Sequence, residues 1–175
     1  KENLYKPMPG YRFIASNTDR SKYYVGELNG RSSKQAYMDA LHISESNIIN
    51  QTFHNPIGKM NGQDICIISL KEVSGNGLCC YRQVNDSDVL VLLEEQDYNE
   101  ILDETLQRIR RDFNHISGVF SINCVFRYLL FSQEHHMEDY LKTMSTLGNH
   151  AGLIGFGEHY NQQFVNQTMT CVVFE

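Results

Sequence analysis

The sequence predicts an α+β fold, a single domain in which about three helices pack on a mixed, mostly antiparallel sheet. The length of 175 residues is typical of one domain. A content of 41% hydrophobic and 21% charged residues indicates an ordinary globular core and excludes a disordered chain. Apolar runs of strand length alternate with segments whose apolar residues have helical spacing, which favours mixed α and β structure.

The strand predictions depend on short apolar runs that are bounded by turn residues. The polar segment 17–21 separates two such runs and predicts a first hairpin. Asn76-Gly77 lies between two further runs and predicts a second hairpin, because Asn-Gly favours the backbone of a tight turn. Strands are therefore predicted over residues 11–15, 22–28, 65–70, 78–84, 89–93, 119–123 and 168–174.

Three helices are predicted from capping residues and apolar periodicity. Ser32 or Ser33 begins the first helix, which runs to about residue 42. Residues 97–100 resemble a capping box at the start of the second helix. Ser132 caps the third helix, and Gly148 ends it.

Two further segments are predicted to lie outside regular structure. Residues 1–10 contain two prolines and a glycine and are predicted as a linker, so that the domain itself is expected over residues 11–175. Residues 43–62 contain Asn, Ser, Pro and several glycines and are predicted as an extended loop.

Charge, apolar run length and cysteine content indicate which partners and which cellular location to expect. The net charge of −6 argues against nucleic acid as a partner, because phosphate binding needs clustered Lys and Arg. The longest apolar run has five residues, far below the ~18 that a membrane span needs. Five cysteines without C-x-x-C spacing are typical of reduced thiols, so a cytoplasmic location is expected.

One arginine and one glutamate are the strongest candidates for a site. Arg127 is surrounded in sequence by apolar residues, so its charge needs a carboxylate partner or an anionic ligand. Glu158 follows the glycine-rich segment 152–157, where a buried carboxylate also needs a partner. Two interpretations remain open. Arg127 and Glu158 form a buried ion pair that joins two core segments, or they share a ligand pocket.

Catalytic and metal chemistry find little support in the sequence. His135 and His136 are adjacent and therefore point to different faces of a helix, which disfavours a shared metal. Cys124 could act as a thiol nucleophile at a helix N-terminus with His159 as its base, although cysteine is more often a small buried apolar residue. No catalytic residue, metal or cofactor is predicted.

Three motifs resemble the C-terminal domain of the FIST family, a bacterial sensory module. They are Asn123-Cys-Val-Phe-Arg127, the segment from Gly152 to Glu158, and Val165-Asn-Gln-Thr168. Earlier segments at 24–30 and 55–58 are also similar, so the resemblance covers roughly residues 10–175. The sequence departs from the family pattern in having Asn123 where Ser is usual and Gly155 where Thr is usual.

The resemblance implies a non-catalytic, intracellular sensory domain that binds a small molecule, with an amino acid as one candidate ligand. It also implies a FIST N-terminal domain in the same chain and an output domain of a chemotaxis transducer, a histidine kinase or a cyclic-di-nucleotide enzyme. The alternative is a structural or dimerisation module without a ligand, and a homodimer is left open. The expected ligand-binding residues are Asn123, Cys124, Arg127, Gly157, Glu158, Asn166 and Thr168.

In this interpretation, Arg127 holds an anionic group of the ligand, and Glu158 pairs with Arg127 or with a ligand amine. Asn123 and Asn166 contribute neutral hydrogen bonds.

Overall fold

The computed structural model describes residues 1–62 and 64–175, which divide into two compact units. We call Lys6–Glu94 the N-terminal unit. The C-terminal unit consists of Lys1–Tyr5 together with Glu95–Glu175.

Helices and strands alternate along the described residues, and the predicted α+β class is confirmed. About three helices were expected, whereas five are present in the described residues: α1 (Ser33–Leu41), α2 (Ile48–Gln51), α3 (Tyr98–Asp112), α4 (Val125–Gln133) and α5 (Met137–Ser145). The strands in the same residues are β1 (Glu2–Asn3), β2 (Tyr5–Asp19), β3 (Tyr24–Leu28), β4 (Arg31–Ser32), β5 (Ile57–Asn61), β6 (Asp64–Ile68), β7 (Leu70–Ser74), β8 (Gly77–Cys80), β9 (Val89–Glu95), β10 (Gly118–Cys124), β11 (Asn149–Gly155), β12 (Glu158–Tyr160), β13 (Gln163–Val165) and β14 (Thr168–Phe174).

The N-terminal unit is built on a sheet with the strand order β6-β5-β9-β2-β3-β8-β7, in which β4 also pairs with β3. Both predicted hairpins are present, because β2 pairs with β3, and β7 pairs with β8 across a turn at Gly75-Asn76. Ala36 and Tyr37 of α1 pack in the same buried cluster as Val25, Leu28 and Leu78.

The prediction of an extended loop over residues 43–62 was wrong. This segment contains a short 3-10 helix, α2 and the strand β5. Ile48 is fully buried and anchors α2 in the core. In β5, a Cβ atom on Gly58 would lie 2.6 Å from Ile65, so the absence of a side chain lets the neighbouring chain approach. The polar composition of residues 43–62 favoured a loop prediction, whereas a few buried apolar residues hold this segment in regular structure.

The C-terminal unit has a four-stranded sheet with the order β1-β14-β10-β11 and a separate hairpin of β12 and β13. Only the β10–β11 pairing among the described residues of this sheet is parallel. Helices α4 and α5 pack against β10 and β11. Val119, Ser121 and Asn123 alternate along β10 and are buried.

Helix α3 confirms the prediction from its capping residues. The side chain of Asp97 accepts hydrogen bonds from the backbone N–H groups of Asn99 and Glu100. Leu102, Leu106 and Ile109 recur at helical spacing and are buried, as an amphipathic surface helix requires.

The third predicted helix corresponds to α5, which begins at Met137 and not directly after Ser132, whereas α4 was not predicted as a helix. Ser132 does not cap a helix, because its hydroxyl donates to the Tyr128 carbonyl within α4. The chain turns at His135, whose φ of 56° is left-handed and ends the helical geometry. The run 124–131 lacks an apolar–polar period, so its helical state could not be read from pattern alone.

The prediction of a linker over residues 1–10 was wrong. Strand β1 pairs with β14, and β2 begins at Tyr5. Glu2 is 2% exposed and Leu4 is fully buried. The two prolines in this segment lie within β2.

No helix in residues 1–62 and 64–175 combines the length and the apolar character that crossing a membrane requires.

The burial of Leu4 gives a direct test of this correction. We expect Leu4→Ala to lower the free energy of unfolding by about 2–5 kcal/mol, because it leaves a cavity in the core. Leu129→Ala is the matched control, since Leu129 is 38% exposed and should change stability by about 0.5 kcal/mol or less. Urea unfolding followed by circular dichroism measures both. Equal effects of the two substitutions would restore the linker interpretation.

Candidate functional site

The end of β10 and the start of α4 bring three of the predicted site residues into one short stretch of backbone. Asn123 and Cys124 are the last two residues of β10, and Arg127 lies in the first turn of α4. All three are buried. Because successive residues of a strand point to opposite faces, the side chains of Asn123 and Cys124 contact different parts of the structure.

Arg127 forms a buried ion pair with Glu2. Its Nη2 donates to Oε1 of Glu2, and both side chains are 1% exposed. The guanidinium carbon also lies 4.6 Å from the centre of the Phe131 ring and 5.7 Å from that of Tyr140, within the range of cation–π attraction. The predicted pairing of Arg127 with Glu158 was therefore wrong. Glu2 lies 125 positions upstream, in the segment that was predicted as a linker.

This ion pair does not satisfy all of its polar atoms. Nε and Nη1 of Arg127 and Oε2 of Glu2 are buried and have no hydrogen-bond partner within the described residues. Two opposite charges in contact remain far less costly than either charge alone in a dry interior. The carboxylate of Glu2 thus occupies the position on Arg127 that was expected for an anionic ligand.

Glu158 forms a second buried group with Cys124 and Thr168. Its side chain is held at the start of β12, and Oε2 accepts a hydrogen bond of 3.2 Å from the Thr168 hydroxyl. Burial raises the pKa of Glu158 to about 7, and hydrogen bonds from Thr168, the backbone of Gly157 and the Cys124 thiol partly offset that rise. The structure therefore brings together four of the predicted site residues without Arg127.

Gly157 has a geometric reason to be glycine. Its φ is +128°, which residues with a side chain rarely adopt, and a Cβ atom there would lie 2.4 Å from the Phe164 ring. Asn166 is half-buried in the segment between β13 and β14, apart from this group of hydrogen bonds.

The arrangement does not favour a thiol nucleophile. Burial raises the pKa of the Cys124 thiol, so that it stays protonated near neutral pH. His159 is exposed on β12 next to the buried Glu158, and its ring packs on Phe164. Adjacent strand residues point to opposite sides, which directs His159 away from the group that contains Cys124.

A cavity of about 360 Å³ lies in the C-terminal unit between β10, β11 and the helices. Its polar lining residues are Ser121, Asn123, Tyr128, Tyr140 and His150. Its main apolar lining residues are Met137, Leu141, Leu153 and Ile154. Among the described residues that line it there is no Lys, Arg, Asp or Glu. Of the predicted site residues, only Asn123 lines this cavity.

Four of these polar residues, all except Tyr128, form a continuous chain of hydrogen bonds. Asn123 Nδ2 donates to the Tyr140 hydroxyl at 2.8 Å, and that hydroxyl donates to Ser121 Oγ at 3.2 Å. Ser121 Oγ lies 2.9 Å from His150 Nε2. Burial lowers the pKa of His150, which favours its neutral form.

Three residues of this hydrogen-bonded chain were not predicted from the sequence. Ser121 could have been found, because it lies two residues from Asn123 and therefore on the same face of a strand. Tyr140 and His150 carry no local signal, since only the packing of α5 and β11 brings them to β10. Gly152 pairs with Ser121 across the strands, and a Cβ atom there would lie 2.6 Å from Ser121 Oγ.

A comparison with protein families finds one match. The model of the FIST C domain matches residues 34–161, which is more than half of the chain. The matched range includes Asn123, Cys124, Arg127 and Glu158, whereas Glu2 and Thr168 lie outside it. No curated protein and no solved structure matches the chain.

The identity of the ion pair can be tested by a double-mutant cycle. We expect Arg127→Met and Glu2→Gln each to be strongly destabilising, by about 3–5 kcal/mol, because each leaves an opposite charge buried without a partner. The double variant should recover about 1–3 kcal/mol of the summed loss. Chemical denaturation of all four proteins gives the coupling.

The control cycle joins Arg127→Met with Glu158→Gln. It should be additive within about 0.5 kcal/mol, because Glu158 bonds to Thr168 and Cys124. A larger coupling with Glu158 than with Glu2 would contradict the assignment.

Glu158 should make stability depend on pH. Between its ordinary value of 4.5 and about 7, the folded protein holds a proton on Glu158 that the unfolded chain releases, so stability falls as pH rises through this window. Glu158→Gln should remove that fall and exceed the natural protein in stability above pH 7, by on the order of 1–3 kcal/mol. Urea unfolding at pH 4.5, 6 and 8 measures the difference. The control is Glu104→Gln on the exposed surface of α3, which should leave the profile unchanged. Identical profiles for Glu158→Gln and the natural protein would refute the pKa assignment.

Proposed function

Because the chain belongs to the FIST C domain family, whose members are domains of signal-transduction proteins, we propose that it is a non-catalytic sensory domain that binds a small molecule. The observation that carries this proposal is the cavity with its chain of hydrogen-bonding side chains. A mostly apolar wall with a few placed polar groups is typical of a small-molecule site.

The size of the cavity supports a small ligand. Its volume of about 360 Å³ is near the lower end of the usual range for ligand pockets, roughly 300–1,000 Å³. Met137, Leu141, Leu153 and Ile154 would contact the apolar part of such a molecule, while the polar chain would fix its orientation.

The charge of the cavity favours a neutral ligand. A free amino acid would bring a carboxylate and an ammonium group to walls that lack a fully charged partner in the described residues. Taking such charges out of water without partners is very costly. Arg127, which was expected to hold an anionic group, is already paired with Glu2. Amino acids therefore become the comparison class rather than the first candidates.

Ligand binding could be transmitted through the elements that form the cavity. Helix α5 contributes Met137, Tyr140 and Leu141, and β11 contributes His150 and Leu153. A ligand that contacts both elements would stabilise one arrangement of α5 and β11 over others, provided that its affinity differs between them. The FIST N-terminal domain and an output signalling domain are the proposed receivers of this change.

The cysteines support a cytoplasmic location as part of the proposal. All five are free thiols, and free thiols are typical of a reducing compartment.

A second candidate function, a dimerisation module, is favoured by the outer face of the four-stranded sheet. Val172 and Phe174 of β14 are 56% and 53% exposed on this face. Strand β11 lies at the sheet edge and pairs only with β10 within the described residues. Two copies could pair through this edge around a twofold axis and cover the apolar face.

A thermal-shift screen separates the two functions. The panel contains neutral alcohols, amides and ketones of up to about eight heavy atoms, with amino acids and carboxylates as the comparison. A binder at ~100-fold over its dissociation constant stabilises the folded state by about 2.7 kcal/mol and raises Tm. The positive result is a shift caused by neutral compounds.

Two tryptophan variants provide the matched control. Leu141→Trp should fill the cavity and abolish the shift, because Leu141 lines it. Leu129→Trp places the same side chain at an exposed position of α4 that does not line the cavity and should retain the shift. No shift from any compound, together with a dimer in light scattering, would favour the dimerisation module instead.

A further inference from the structure

We infer that the cavity recognises a neutral molecule with two separate polar groups, a hydrogen-bond donor for Asn123 Oδ1 and an acceptor for His150 Nδ1. The inference rests on the proposed function, since it names the ligand class of the same cavity. It follows from the direction of the hydrogen bonds along the chain of four side chains.

The direction is set at Asn123. Its Nδ2 is a donor only, so the Tyr140 oxygen accepts that hydrogen bond. Tyr140 has one proton, which it donates to Ser121 Oγ. Ser121 in turn has one proton, and His150 Nε2 is its only side-chain acceptor within the described residues. Each hydroxyl therefore donates toward His150.

The tautomer of His150 is fixed as a consequence. Nε2 must carry a lone pair to accept the Ser121 proton, so the single proton of the neutral ring is on Nδ1. The surroundings of the ring favour this neutral form, because the Tyr140 ring edge and the Ser121 hydroxyl approach it without a charge. Within the described residues, Nδ1 has no hydrogen-bond acceptor of its own.

The two ends of the chain then have opposite character. Asn123 Oδ1 is a buried acceptor without a partner in the described residues, on a side chain that is only 6% exposed overall. His150 Nδ1–H is a donor, and both residues line the cavity. Three hydrogen bonds in series, of 2.8, 3.2 and 2.9 Å, connect Asn123 Nδ2 to His150 Nε2.

A complementary ligand follows from this polarity. It presents a donor to Asn123 and an acceptor to His150, with a short apolar link that contacts Leu141 and Ile154. A buried acceptor left without a donor is costly, so a ligand that supplies the donor gains that energy. A carboxylate at the Asn123 end would place two acceptors against each other and is excluded on the same ground.

The test uses four matched probes and the full chain at pH 7.5. N,N-dimethyl-5-hydroxypentanamide carries both groups, N,N-dimethylpentanamide lacks the donor, pentan-1-ol lacks the amide acceptor, and 5-hydroxypentanoate is charged. Dissociation constants from NMR titration should be lowest for the first compound. Removal of either group should weaken binding by about 2- to 10-fold, the range expected for one neutral hydrogen bond.

Two histidine variants locate the acceptor contact. His150→Gln keeps an oxygen near the position of Nε2 that can accept from Ser121 but has no donor near Nδ1. It should therefore abolish the difference in affinity between the hydroxy amide and pentan-1-ol. His150→Asn keeps an amide near the position of Nδ1 and should retain that difference.

The outcomes separate the inference from the proposed function. If the hydroxy amide binds no more tightly than both single-group compounds, or if the carboxylate binds best, the inference is overturned while the cavity remains a ligand site. If no probe and no compound of the wider panel binds, the proposed function is overturned and the inference with it. The comparison of probes on the natural protein stands even if a histidine variant does not fold.

Discussion

The C-terminal unit depends on the neutralisation of one buried charge. Arg127 lies in the first turn of α4 with a fully buried guanidinium, and a charge in that position is tolerated only beside an opposite charge. Glu2 supplies it from β1, a strand of two residues at the edge next to β14. The first residues of the chain are thereby part of the core, and the start of α4 is held where β10 ends.

The position of α4 determines what the end of β10 presents to its surroundings. Asn123 and Cys124 are neighbours in sequence but point to opposite faces of the strand. Asn123 joins the chain of hydrogen bonds along the cavity, and Cys124 donates to the buried carboxyl group of Glu158. One short motif thus supports two groups with different chemistry, an uncharged cavity wall and a carboxylic acid whose pKa is raised by burial.

These two groups are separate, and none of the described residues that line the cavity is Lys, Arg, Asp or Glu. Both ionisable candidates of the sequence are used within the fold, since Arg127 pairs with Glu2 and Glu158 is bonded by Thr168. The cavity is left with amide, hydroxyl and imidazole groups, which distinguish ligands by the placement of donors and acceptors. A neutral ligand is the chemical class that such a surface can bind without an unpaired charge.

Several features were determined by the sequence alone, because they depend on short-range backbone chemistry. The capping residue Asp97 and the apolar period after it predict α3, and Asn76-Gly77 predicts the turn between β7 and β8. The need of Arg127 for a partner was also evident from its apolar neighbours. The motifs at 123–127, 152–158 and 165–168 together indicated the FIST C domain family, which the family match confirms.

Other features were decided only by the tertiary structure. The partner of Arg127 could not be deduced, because any carboxylate in the chain could neutralise its charge. The prolines of residues 1–10 also led to the prediction of a linker where β1 lies. The cavity likewise requires α5 and β11 to bring Tyr140 and His150 to Ser121, and no local pattern specifies that meeting. The sequence shows which charged or polar groups need a partner if they are buried. The packing of segments that are distant in sequence determines which partner each group has.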